Sequence, residues 1–242
     1  MLLQHQKDYD IKVIKTVFDK FEKEVQSKLF LKSEDAFSIR IVPQQGSPID
    51  SYEYGNLLSL DLSTVQPQKR VVAFREFKQL LDSRLSKLYD KAKFSENKKD
   101  YNGVDIWQYF NESLEYDLNL SKLNTLVILS DGYFDFESYP NGFKNGNKYT
   151  STSFIRNLRT QDWKSIDNKN NYGLIPINKF NDYKLNVIVA GVRSKPFINF
   201  LDETNVVKYF WKKWLNEMDV KKITVVSYAN SPSVYSLISR SI

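Results

Sequence analysis

Two aspartates carry the clearest capacity for chemistry, and each stands at the edge of a well-patterned segment. Asp131 follows the apolar run Leu123–Leu129 in Ser130-Asp131-Gly132, and Asp105 lies in Gly103-Val104-Asp105-Ile106, where a helical pattern begins. A carboxylate in such a place serves as a hard oxygen ligand for a divalent cation or as an acceptor of backbone N–H groups in a turn or helix cap. Both readings apply to Asp131 and to Asp105, with the N-cap role favoured for Asp105. Other chemistries lack material. The chain has no Cys, which removes disulfides, thiolate metal sites and thiol nucleophiles, and its one histidine, His5, cannot build a zinc site or a Ser-His-Asp triad. A magnesium-dependent hydrolase using Asp131 with Asp135 is the alternative enzymatic reading. It finds neither a Gly-rich phosphate cradle nor a nucleophile paired with a base.

Around Asp131 the residue types suit recognition. Tyr133, Phe134 and Phe136 follow it directly, as partner contacts or as hairpin packing. Arg193 and Lys195 come just after the apolar run Leu185–Val192, where they meet an acidic partner or remain solvated. Trp211 and Trp214 are assigned to core packing. The 35 Lys and Arg against 29 Asp and Glu give a net charge of +6. The basic residues are dispersed Lys without a nucleic-acid motif, so no specific nucleic-acid partner is expected. No run of about 18 apolar residues is present, so no membrane span is expected.

The positions of these residues follow from the order of elements. Apolar residues Ile11, Ile14, Val17, Phe18, Phe21 and Val25 mark an amphipathic helix over 8–29. Phe37–Val42 and Leu57–Leu62 alternate and predict an antiparallel hairpin with a long connection. Helical spacing returns over Pro67–Phe94 and again over Val104–Leu118. Leu123–Leu129 is nearly continuous in apolar character, which predicts a strand buried on both faces. A polar insertion over about 137–182, with one short helix near Ser153–Arg159, precedes a second such strand at Leu185–Val192. The chain closes with a helix at Val206–Met218, a strand at Lys222–Tyr228 and a helix at Pro232–Ile242 capped by Ser231. This succession predicts one α/β domain over 1–242, three-layered and doubly wound, with a mostly parallel sheet and an antiparallel edge hairpin.

That order resembles the von Willebrand factor A fold with its first strand removed. Leu126-Val127-Ile128-Leu129-Ser130-Asp131-Gly132 is similar to the family's fourth strand with its Asp-Gly pair, and Gly103-Val104-Asp105-Ile106 is similar to its Gly-Thr-Asp-Ile/Leu segment. The likeness covers essentially the whole chain, and these two motifs are its locally specific part. It implies a binding module and not an enzyme, with sheet order 3-2-1-4-5-6. Partner recognition then occurs at the strand ends, through a magnesium ion completed by an acidic residue of the partner. Asp131 matches the third loop of that metal site. Val104 stands where a Thr ligand belongs, so Asp105 or Asn102 would have to compensate through a changed loop. The Asp-x-Ser-x-Ser loop is absent from its expected place, which implies an incomplete site and a Met1 that is internal to a longer frame. A chain lacking the first strand is expected to be marginally stable. Asp61-Leu62-Ser63-Thr64 offers a second Asp-x-Ser, but Asp61 is expected to be an exposed residue of the third strand.

Overall fold

The computed structural model describes residues 2–42, 49–92, 105–134, 143–195 and 203–242; Asn102, Val104, Asp135 and Phe136 lie outside these. The chain forms two compact units, Met1–Tyr101 and Asn102–Ile242.

The first unit contains α1 (Leu2–Ser27), β1 (Ala36–Ser38), α2 (Ser51–Leu57), β2 (Ser59–Asp61) and α3 (Arg70–Lys91), the last entered through a 3-10 turn at Pro67–Lys69. Of the stripe predicted for α1, Ile14, Phe18 and Val25 are buried, joined by Val13, and α3 buries Phe74, Phe77, Leu81, Leu85 and Leu88 at the expected spacing. Their phenylalanines make the core: Phe18 stacks on Phe74 at 5.4 Å and meets Phe37 of β1 edge-on at 5.2 Å. β1 and β2 pair antiparallel, Phe37 opposite Leu60. Each strand is three residues long, shorter than the alternation predicts. The hairpin connection contains α2, where only a loop was predicted. Its start is fixed by Asp50, whose carboxylate accepts from the amides of Tyr52 and Glu53, both at 2.9 Å. Arg70 is buried and donates to the carbonyls of Leu31 (2.8 Å) and Val65 (3.0 Å), tying two loops to the start of α3.

The second unit opens with α4 (Ile106–Gln108), a π-turn at Tyr109–Ser113 and α5 (Leu114–Asp117) in place of one regular helix. β3 (Leu123–Leu129), β7 (Lys184–Val192) and β8 (Lys222–Ser227) form a parallel sheet in the order β3-β7-β8. β7 lies between the other two and is buried from Leu185 onward. β3 is only half-buried, contrary to the prediction, because it ends the sheet among the described residues. α7 (Glu203–Glu217) covers the face of Val187 and Val189. Alternation turns Ile188 and Ala190 to the other face, where α8 (Pro232–Ser241) packs on β7 and β8. Ser231 precedes α8 but makes no side-chain cap bond.

The predicted polar insertion is largely structured. It contains β4 (Lys144–Asn145), β5 (Lys148–Tyr149) and β6 (Gly173–Leu174), which form a small sheet of their own. A 3-10 helix at Thr152–Leu158 and α6 (Trp163–Asn170) complete it. The Ile175 carbonyl is among its ties to the core, accepting from the indoles of both Trp107 and Trp214 at 2.9 Å. Among the described residues no helix is long and apolar enough to cross a membrane.

Candidate functional site

The site is built on the turn that ends β3. Ser130 continues the ladder by donating to the Ala190 carbonyl at 3.1 Å, and the chain then turns sharply. The Ser130 hydroxyl accepts from the Gly132 amide (3.0 Å) and the Asp131 carboxylate accepts from the Tyr133 amide (3.1 Å). Gly132 has φ 98°, and a Cβ placed there would stand 2.6 Å from Val207 Cγ1 and 3.1 Å from Val192 Cγ1. Only glycine meets both demands. The buried Trp211 indole donates to the Gly132 carbonyl at 2.9 Å, and the Arg193 amide donates to the Asp131 carbonyl at 3.1 Å. The turn is thereby held from α7 below and from the end of β7 beside it, with the Asp131 side chain exposed.

Below the turn lies a charged cluster. Tyr133 points inward and its hydroxyl donates to Glu203 Oε1 at 3.0 Å. Glu203, the first residue of α7, is fully buried, and Arg159 grips it in a fork, Nη2 to Oε1 at 3.0 Å and Nε to Oε2 at 3.2 Å. Burial, and then the Glu203 carboxylate, push the Tyr133 hydroxyl well above its ordinary pKa, so it stays a donor. Lys195 Nζ sits 4.6 Å over the Tyr133 ring. Burial pushes its ammonium pKa below the ordinary value, against the pull of Asp131 and Glu203. A cavity of about 200 Å³ opens here, walled by Tyr133, Thr152, Ser153, Arg156, Arg159 and Lys195.

The residues singled out from the sequence are distributed as follows. Asp131 and Tyr133 share the turn, and Arg193 reaches it by its amide, while its guanidinium lies 4.7 Å over the Tyr228 ring. Phe134 is in the core, 4.6 Å from Trp211 and 5.2 Å from Trp214, so packing and not surface contact is its role here. Asp105 is an N-cap whose carboxylate accepts from the Gln108 amide at 2.8 Å. Asp61 is exposed at the end of β2 and accepts from the Ser63 amide at 2.8 Å. Among the described residues no three His, Cys, Asp or Glu side chains gather as a metal-holding group. Sequence reasoning missed Glu203, Arg159, Arg156 and Ser153. The regular spacing of Ser153, Arg156 and Arg159 was the available signal, but it needs the 3-10 geometry to acquire meaning. No family model matches the chain, and no curated protein and no solved structure matches it significantly.

Proposed function

We propose that the chain is a protein-recognition module of the von Willebrand factor A type, and not an enzyme, binding its partner at the carboxyl ends of β3 and β7. The observation that carries this reading is the exposed Asp131 carboxylate on a braced turn at the end of an apolar parallel strand. Ligands of open α/β sheets gather at that edge. The parallel run β3-β7-β8 suits strands four to six of that family, and the antiparallel β1-β2 pair suits strands two and three.

On this reading the metal site is degenerate. The described donors fit a magnesium ion poorly. Asp131 and Asp105 each have a carboxylate oxygen engaged by a backbone amide, and the Lys195 ammonium lies within electrostatic reach of Asp131. Magnesium asks for a near-octahedral set of oxygens, so the recognition proposed here is routed through no metal. Calorimetric titration of magnesium and manganese into the chain tests that part, and a stoichiometric heat abolished by Asp131→Asn would restore the ion.

The recognition itself is tested by partner capture on immobilised chain. A protein retained by the wild type and by Lys184→Glu, at the amino end of β7, is expected to be lost with Asp131→Lys. Magnesium-dependent turnover of a generic phosphate ester, abolished in Asp131→Asn, would instead establish the hydrolase.

A further inference from the structure

The cavity below the Asp131 turn has a wall that the recognition reading alone does not explain. A 3-10 helix has three residues per turn, so side chains at i and i+3 stand in one row. Ser153 and Arg156 in the Thr152–Leu158 helix, with Arg159 directly after it, make such a row, and all three line the cavity. Lys195 closes the opposite side, above the Tyr133 ring. Apart from Ile155 and Tyr133, the groups facing the space are guanidinium, ammonium and hydroxyl, all able to donate.

The charge balance narrows the ligand. Arg159 is spent on the fully buried Glu203. Arg156 is exposed at the mouth and has no carboxylate partner among the described residues. Among the described residues, three cations are set against Glu203 and Asp131, a surplus of one positive charge. That residue of charge matches a carboxylate better than a doubly charged phosphate. Size points the same way: about 200 Å³ is below the roughly 300–1,000 Å³ of cofactor and drug pockets, yet holds a side-chain end group. The row is also held open from behind, since Thr152 Oγ1 accepts from the Phe134 amide at 3.0 Å and the Ser151 hydroxyl donates to Ser153 Oγ at 2.9 Å.

We propose that this cavity is an oxyanion pocket that takes the carboxylate of an Asp or Glu side chain of the partner protein directly, through Arg156, Lys195 and Ser153. It deepens the recognition reading and rests on it for the source of the carboxylate. The lowered pKa of Lys195 accords with the pocket, because a bound carboxylate compensates the desolvated ammonium.

The test is a titration of the full, nitrogen-15-labelled chain with acetyl-glutamyl-amide, followed by NMR, with acetyl-glutaminyl-amide and inorganic phosphate as parallel probes. Saturable shifts are expected at the amides of Tyr133, Ser153 and Lys195. The glutaminyl probe should bind at least about tenfold more weakly, and Arg156→Gln and Lys195→Gln should each lose about tenfold, the loss expected for one charge-assisted contact. EDTA should change nothing. The assignment is overturned if no saturable shift occurs at these amides, if both variants bind like the wild type, if phosphate binds more tightly than the glutamyl probe, or if binding requires magnesium. Arg156 is exposed, so its variant keeps the fold and the test stays decisive. Capture of a partner that survives both variants would sink the pocket and spare the module. Glutamyl binding as described, with no protein engaging the face, would do the reverse.

Discussion

At Gly132 a positive φ and a crowded Cβ position coincide, and the two can be separated by experiment. A left-handed conformation costs a non-glycine residue roughly 1–2 kcal/mol, and overpacking a filled site costs roughly 1–3 kcal/mol. Gly132→Ala should therefore lower the stability by about 2–5 kcal/mol in urea denaturation. Val207 is the nearest obstacle, at 2.6 Å from the added Cβ. In the background of Val207→Ala, the same glycine substitution should cost less, keeping the conformational part and the milder contact with Val192, so the double mutant is less damaged than the two single effects added. Equal additivity would mean that Val207 yields freely and that backbone strain and Val192 demand the glycine. The Glu203 carboxylate poses a different question, because it is fully buried and gripped by an arginine whose side chain is only 32% exposed. Arg159→Met leaves that carboxylate with the Tyr133 hydroxyl alone and should cost about 3 kcal/mol. Adding Glu203→Gln should recover part of the loss, and failure to recover would show that Arg159 acts by packing and not by charge.

At the level of elements, α6 is attached to α7 by one buried carboxylate. Asp167 accepts from Lys213 Nζ at 2.9 Å and from the Tyr209 hydroxyl at 2.8 Å, and Lys213 also reaches the Tyr172 carbonyl at 2.7 Å. Burial first, then the hydrogen bond and charge of Asp167, push the Tyr209 pKa from 10.0 up to about 12. A phenol whose pKa is raised on folding binds its proton more tightly in the folded state. Its contribution to stability is thus complete below pH 10 and is lost as the pH rises from 10 toward 12. In Asp167→Asn the two influences of the carboxylate vanish and that of burial remains. The Tyr209 pKa, followed by NMR of carbon-13-labelled tyrosine ring signals, should fall part of the way toward 10. No movement would mean that burial and the charge of Glu217 set it without Asp167. The same attachment explains what was legible in the sequence. The strands Leu123–Leu129 and Leu185–Val192 announce themselves as nearly continuous apolar runs, the long helices through local periodicity, and the Asp-Gly pair announces the turn. α6 depends on a carboxylate satisfied by a lysine on a distant helix, and β4, β5 and β6 are two residues each, too short to show a period. α2 carried a local sign, Asp50 followed three residues later by Glu53, but its seven residues fall within a predicted hairpin loop. Glu203 lies outside the apolar stripe of α7 and is buried where Arg159 and Tyr133 meet it. Of the site, therefore, the turn could be read from the sequence and the charged cavity could not.

For the whole molecule the question is whether two compact units behave as one cooperative domain. Among the described residues the first unit's only sheet is a pair of three-residue strands, and an isolated two-stranded hairpin is at best marginal in water. Its own helices and phenylalanine core must supply the rest of its stability, unless the proposed family fold makes both units parts of one domain. The four tryptophans decide between these cases, because Trp107, Trp163, Trp211 and Trp214 all belong to Asn102–Ile242. Tryptophan fluorescence therefore reports the second unit alone. Far-ultraviolet circular dichroism is weighted toward the first, which holds the 26-residue α1 and the 22-residue α3. On the proposed reading of one domain, urea should abolish both signals in a single coincident transition. Dichroism lost at a distinctly lower urea concentration than fluorescence would instead show two independently folding units. The single-domain assignment over 1–242 would then fall, while the turn and cavity at Asp131, which lie wholly within the second unit, would keep their geometry.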